Sequence, residues 1–236
     1  MQDLMTNMVE SAISYHLEDL HALLPARIVE IDYKTRKVSV QPSIKKKKRD
    51  GDNDAKGLQD MAIIQSIPLI VPASKLAIIS IPAKVGDEVL VAFFERSVDT
   101  YLFSDGATPV DPKDYRRHDY NDAVAIVGLN TFQNALEMHP EDLVIKQNAT
   151  LANECKISLK PNGDVVVDTP AKFIVNASSA VNINTTIANI VATDSVKIDS
   201  PQTIITGELR VDKGVSVGQD VSTDAGITLK TDRPIS

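Results

Sequence analysis

From about Lys156 onward the chain repeats one short word, an apolar residue, any residue, an apolar residue, at a spacing near eight. The pairs are Ile157/Leu159, Val165/Val167, Phe173/Val175 and Val181/Ile183, and after a slip Val196/Ile198, Leu209/Val211, Val215/Val217 and Ile227/Leu229. Period-two alternation broken by Asn-Gly, Thr-Pro, Ser-Pro, Lys-Gly and Ala-Gly marks short strands joined by tight turns. A repeat this short predicts a β-solenoid or β-helix. Each strand carries only two or three apolar side chains, so one copy of the segment buries little surface against itself. The segment therefore reads as one strand of an intertwined oligomer. On that reading Ile157, Leu159, Val165, Val167, Val175, Val181, Ile183, Val196, Ile198, Val215, Val217, Ile227 and Leu229 face a shared dry axis. Lys156, Lys160, Asp164, Asn182, Asn184, Lys197, Asp199 and Arg210 then face water.

Upstream the period changes. Met5, Met8, Val9, Ala12, Ile13, His16, Leu17, Leu20 and Leu24 form a helical stripe with Glu10, Glu18 and Asp19 opposite, which predicts one amphipathic helix over 4–24, stopped by Pro25. Beyond it, ARIVEIDYKTRKVSVQPSI alternates on either side of Tyr33-Lys34-Thr35-Arg36, a hairpin turn. The run KKKKRDGDNDAKG is expected to be an exposed, mobile loop. Strands are predicted at 28–31, 38–40, 63–70, 76–81, 89–94 and 100–103, with Pro68, Pro72 and Pro82 at strand ends or edges and a turn at Val85-Gly86-Asp87-Glu88. Five or six short strands in about a hundred residues suit a small closed barrel, and an OB-like barrel is the natural candidate. A further short strand is expected at 124–129. The resulting organisation is all-β apart from the first helix: helix 1–24, OB-fold barrel 25–130, neck 131–150 and intertwined β-helix 151–236.

Composition supports two domains in these 236 residues, because it shifts near residue 145 and Phe173 is the single aromatic of the C-terminal part. No stretch is long and apolar enough to span a bilayer, and MQDLMTNMVESAISYHLEDL lacks a basic n-region and apolar core, so the protein is expected to be made and kept soluble in a cytosol. Cys155 is the lone cysteine and reads as a small buried hydrophobe. A net charge of −7 argues against affinity for phosphate backbones, so no nucleic-acid partner is expected.

Three blocks carry a resemblance: LLPARIVEIDYKTRKVSVQPSI, PAKVGDEVLVAFFERSVDTYLFSDG and RRHDYNDAVAIVGL. The order V-G-D-E-V-L-V, then F-x-x-R-S-V-D, then R-R-H-D-Y-N-D-A is similar to the N-terminal domain of small baseplate spike proteins of contractile-tailed phages. The resemblance covers about 23–130. It implies a homotrimer whose OB-fold collar docks on the baseplate hub at the end of the tail tube. It also implies a triple-stranded β-helix that perforates the host outer membrane when the sheath contracts, and a place in the virion after assembly in the host cytoplasm. Many members close their apex with a metal held by a His-x-His from each chain. No His follows His139 here, so neither that metal nor any other cofactor is expected. The apex is either closed by apolar and charged side chains or capped by a separate tip protein docking at Lys230, Asp232 and Arg233, with the capped end slightly ahead.

Other constellations read as ordinary. His16 and His21 stand five apart, off a common helical face, and His118-Asp119 is expected to fix the loop 116–122 by hydrogen bonds. The basic run at 45–49 is followed at once by Asp50, Asp52 and Asp54, which weaken its field. Glu137, Glu141 and Asp142 invite comparison with glycosidase carboxylates, but a neck leaves no room for such a domain. Phe93, Phe94, Tyr101 and Phe103 lie in apolar strand text and are expected in the core. No enzymatic activity is expected. A peptidoglycan-degrading spike and a trimeric receptor-binding tail fibre are the rival functions.

Overall fold

The N-terminal apolar stripe folds as a helix, α1 (Gln2–Glu18), in a computed structural model that describes residues 2–18, 20–47 and 57–218. Its exposed residues include Met5, Met8, Val9 and Ile13. The helix ends before the stripe does. Leu23, Leu24 and Pro25 belong instead to β1 (Leu23–Asp32), where the Pro25 carbonyl accepts the Ser43 N–H at 2.8 Å. Pro25 therefore lies within a strand, opposite Leu90 and one residue before the pairing of β1 with β2 begins at Ala26, and does not terminate the helix.

Then follow β2 (Lys37–Pro42), β3 (Lys46–Lys47), β4 (Leu58–Gln59), β5 (Ile64–Ile70), β6 (Glu88–Phe93), α2 (Asp99–Leu102) and β7 (Ala123–Val127). β1-β2-β5-β7-β6 close into a five-stranded barrel, with β5 and β7 parallel and the other neighbours antiparallel. In chain order of the barrel strands this is 1-2-3-5-4, an OB-like arrangement. The expected barrel is present. Its core is Ile28, Val38, Val40, Ile64, Ile67, Val89, Val91 and Phe93, with Ala26, Ala83, Ala123 and Ala125 filling the narrow parts. Two irregularities at Ser39 let three consecutive residues of β2, Val38 to Val40, be buried. The register slips between Ile28 and Glu30 on one side and between Val38 and Val40 on the other, and Ser66 takes φ 57°. The buried Ser39 hydroxyl donates to Glu30 Oε2 at 3.2 Å and accepts from Ser66 N–H at 3.4 Å, so the bulge carries no orphan hydroxyl. Pro68 sits where β5 changes partner: it is the last residue before Leu69 and Ile70 pair with β7.

Several expectations are corrected. Residues 76–81 form no strand; Pro72 and Pro82 flank them, and their order rests on a turn in which Ser74 N–H donates to Ala77 O at 2.7 Å and on the bridge between Ala73 and Ile78. Residues 100–103 form no strand either. Tertiary contacts at Val98 and Asp99 override the β-propensity of Tyr101 and Phe103, and the Leu102 N–H closes a helical turn onto Val98 O at 2.9 Å. Tyr101 and Phe103 are consequently exposed, Phe103 at 87%, while Phe93 does join the core. The basic run is partly ordered: Lys46 and Lys47 pair with Gln59 and Leu58, and Lys45 Nζ lies 3.3 Å from Asp60. Lys48, Arg49, Asp50, Asp52 and Asp54 lie outside the described residues.

The segment expected as a neck contains a strand, β8 (Leu143–Gln147), which pairs with β9 (Cys155–Leu159) and through it with β10 (Val165–Asp168) in an antiparallel three-stranded sheet. The chain divides into two compact units, Met1–Phe173 and Ile174–Ser236. Among the described residues beyond Asp168, no strand is paired within the chain.

Candidate functional site

The charged centre of the barrel unit is Arg116. Its Nη2 donates to Asp99 Oδ2 at 2.5 Å and to Ser97 Oγ at 2.8 Å. Its Nε lies 2.7 Å from Asp114 Oδ2, an ion pair, and 3.6 Å from Asp122 Oδ2, too long for a hydrogen bond and therefore charge attraction alone. The Asp99 hydrogen bond and the surrounding carboxylates hold the guanidinium pKa above its ordinary value. The Arg116 N–H in turn holds the Asp114 carboxyl below its own. Asp122 is fully buried and accepts the Val98 N–H at 3.0 Å. The block 116–123 thus binds the loop after β6 to the strand β7.

His118, through its backbone, and Asp119 serve the same end. His118 N–H donates to Phe94 O at 2.9 Å, and Asp119 caps its own turn by accepting from the Asn121 backbone and side chain, each at 2.9 Å. Tyr120 donates to Ala62 O at 3.0 Å, and its ring forms a three-ring cluster with His21 and Phe93, with burial raising the phenol pKa. His21 is therefore engaged with aromatic rings; the His16 side chain lies outside the described ones. In the stretch 137–142, His139 Nδ1 accepts the Asp142 N–H at 2.8 Å, which is a local turn. Among the described residues no group of three or more His, Cys, Asp and Glu side chains is placed to hold a metal ion, and no helix is long and apolar enough to cross a membrane.

The remaining candidate surface is apolar. Between β5 and β6 the chain exposes Leu76, Ile78, Ile79, Ile81 and Val85, with Leu76 at 98%. Beside this loop lies a cavity of about 210 Å³ lined by Ile31, Leu69, Val71, Ile78 and Ala83, over which Tyr33 donates to Ala83 O at 2.8 Å. In the C-terminal direction, Ile157, Leu159, Val165 and Val167 lie together on β9 and β10, and all four are exposed. Val175, Val181, Ile183, Val196, Ile198, Val215 and Val217 are exposed as well, Ile183 at 75%. Ile227, Leu229, Lys230, Asp232 and Arg233 lie outside the described residues.

Leu143 and Ile145 fall within the span expected as a neck, yet their register with Leu159 and Ile157 sets them on the same sheet. Their spacing is the same apolar, any, apolar word, written in LVIKQ one turn before the repeat starts.

No curated protein matches the chain. Residues 24–128 match the family model of the phage protein Gp138 N-terminal domain, a span that runs from the second residue of β1 to just past β7, and this match supports a phage structural protein.

Proposed function

We propose that three copies of this chain form the central spike of a contractile tail baseplate. The barrels make a collar on the hub at the end of the tail tube, and the C-terminal segments interwind into a needle that perforates the host outer membrane when the sheath contracts. The work is mechanical, without enzymatic activity, metal or cofactor. The carrying observation is the junction of a barrel similar to a phage protein domain with a segment of alternating apolar residues that one chain leaves exposed. A run of Val175, Val181, Ile183, Val196 and Ile198 in water is unfavourable by about 1 kcal/mol or more per side chain, and cover from identical neighbours removes that cost. Interwinding also pairs the strand edges that a single chain leaves open, so that edges persist only at the ends. The exposed residues of the loop between β5 and β6 supply the apolar contact that a ring of barrels needs.

Native mass measurement and labelling of the protein in phage particles test this. The expected results are a species of three times 25.6 kDa and one axial label beneath the baseplate. Several lateral labels indicate a peripheral fibre, and a cleared band on a peptidoglycan zymogram indicates a hydrolase; either result rejects the mechanical spike.

A further inference from the structure

The sheet formed by β8, β9 and β10 has two unlike faces. Its register brings Leu143, Leu159 and Val165 into one row and Ile145, Ile157 and Val167 into the next. Strand alternation puts these six on one face, and all six are exposed. The other face carries the rows Val144, Ser158, Val166 and Lys146, Lys156, Asp168, in which Lys156 Nζ pairs with Asp168 at 3.3 Å. In the single chain Ser158 on this face is buried and Val144, Lys156 and Val166 are half-buried, while Lys146 and Asp168 reach water. The first face is a contiguous aliphatic patch on the order of a few hundred Å², the size that marks an interaction surface.

We infer that this patch is closed by the same face of two further copies, so that the shaft starts at Leu143 as a three-sided prism of in-chain sheets and the chains interwind only beyond Asp168. The inference rests on the trimeric reading above and deepens it. Geometry favours this occupant. With strands about 4.8 Å apart, a three-stranded face is roughly 14 Å wide, and in an equilateral prism it lies about 4 Å from the axis, close to half the roughly 10 Å separation of packed sheets. Aliphatic side chains from three faces then meet at the axis. The prism also shields the outer edges of β8 and β10, each of which pairs with β9 alone among the described residues. In the sequence the apolar alternation continues past Asp168 through Val175, Val181 and Ile183, the residues assigned above to the interwound part.

The test uses the full chain carrying Cys155→Ser, with Ile157→Cys on the apolar face or Lys146→Cys at an exposed position of the opposite one. Copper-phenanthroline oxidation is followed by a heated non-reducing gel, with native mass recorded on each variant. Ile157→Cys is expected to yield a cross-linked dimer, since two of three axial thiols can join, and Lys146→Cys none. Ile157→Asp is expected to lower trimer yield at least about tenfold while Lys146→Asp, at an exposed position of the opposite face, leaves it unchanged, because only the former buries carboxylates. A trimer that cross-links through Lys146→Cys and not Ile157→Cys, or that tolerates both Asp variants alike, overturns the prism and leaves the spike reading standing. A wild-type monomer overturns both.

Discussion

The buried carboxylate of Asp122 accepts the backbone N–H of Val98 at 3.0 Å, twenty-four residues earlier in the chain, while Arg116 stands 3.6 Å from its second oxygen. One residue thus closes the connection after β6 onto β7 and compensates a guanidinium that Asp99 and Asp114 hold from the solvent side. Asp122→Ala leaves the Val98 N–H unpaired and Asp122's place beside Arg116 empty, an expected loss of about 3 kcal/mol. Asp122→Asn keeps an acceptor and loses only the charge, so its cost is expected to be smaller, about 1–2 kcal/mol. Urea unfolding of the full chain followed by far-UV circular dichroism ranks the two, and equal midpoints for Asp122→Ala and wild type contradict the clamp.

The acid limb of the stability curve has a defined sign. Glu88 is held below its ordinary pKa, first by the Thr131 N–H at its carboxylate, and Asp32 by the Thr35 hydroxyl and the Lys34 N–H. Because these pKa values are depressed in the folded state, the unfolded chain binds more protons at acidic pH. The stabilisation is present above the unfolded value and fades as pH falls below about 4 through the folded values. Glu88→Gln is expected to flatten the decline of the urea midpoint between about pH 5 and pH 2.5. An acid limb that keeps its full slope in Glu88→Gln removes Glu88 from the set of responsible groups.

Strand existence in the barrel was legible because alternation and turn chemistry agree there: Asp32 caps the Tyr33 to Arg36 turn and Gly86 opens β6. The strand at 100–103 misled because Thr100, Tyr101 and Phe103 are good strand formers whose fate is decided by Asp99 meeting Arg116, a contact no local pattern announces. Leu143 and Ile145 carried the right word but sat in a polar stretch, and only their register with β9 reveals the face they share. Ala26 and Ala125 fell within stretches expected to be strands, but that they and Ala123 lie in the core was not legible, since a single alanine adds little to an apolar pattern.

Gly86 has φ 100°, and its N–H donates to Ile28 O at 2.9 Å while Ile28 N–H donates to Asp87 O at 2.9 Å. The turn fixes β1 against the start of β6. A Cβ there meets nothing within 4 Å, so the penalty of Gly86→Ala is conformational and amounts to about 1–2 kcal/mol. Thermal unfolding of the variant reports it as a lower Tm; an unchanged Tm means that the turn relaxes to negative φ without cost.

Interwound chains cannot separate without unthreading, so the proposed trimer is expected to unfold slowly and to survive SDS at room temperature, releasing monomer only on heating. An unheated gel showing monomer alone counts against entanglement even where native mass gives a trimer.

Ile183 and Lys197 make the sharpest pair of substitutions on the proposed needle. Lys197 Nζ pairs with Asp199 at 3.0 Å on a fully hydrated surface, and such a pair contributes roughly 0–1 kcal/mol, so Lys197→Ala is expected to assemble normally. Ile183 is expected at the axis. Ile183→Asp brings three carboxylates together in a dry interior, costing on the order of several kcal/mol each unless they bind protons. The variant trimer is therefore expected to be lost at neutral pH and partly recovered near pH 4, where protonation removes the charge. Size-exclusion chromatography with light scattering at the two pH values reads this directly. A soluble Ile183→Asp trimer at neutral pH, eluting with Lys197→Ala, means that Ile183 faces water and that the period-two alternation of this segment points outward.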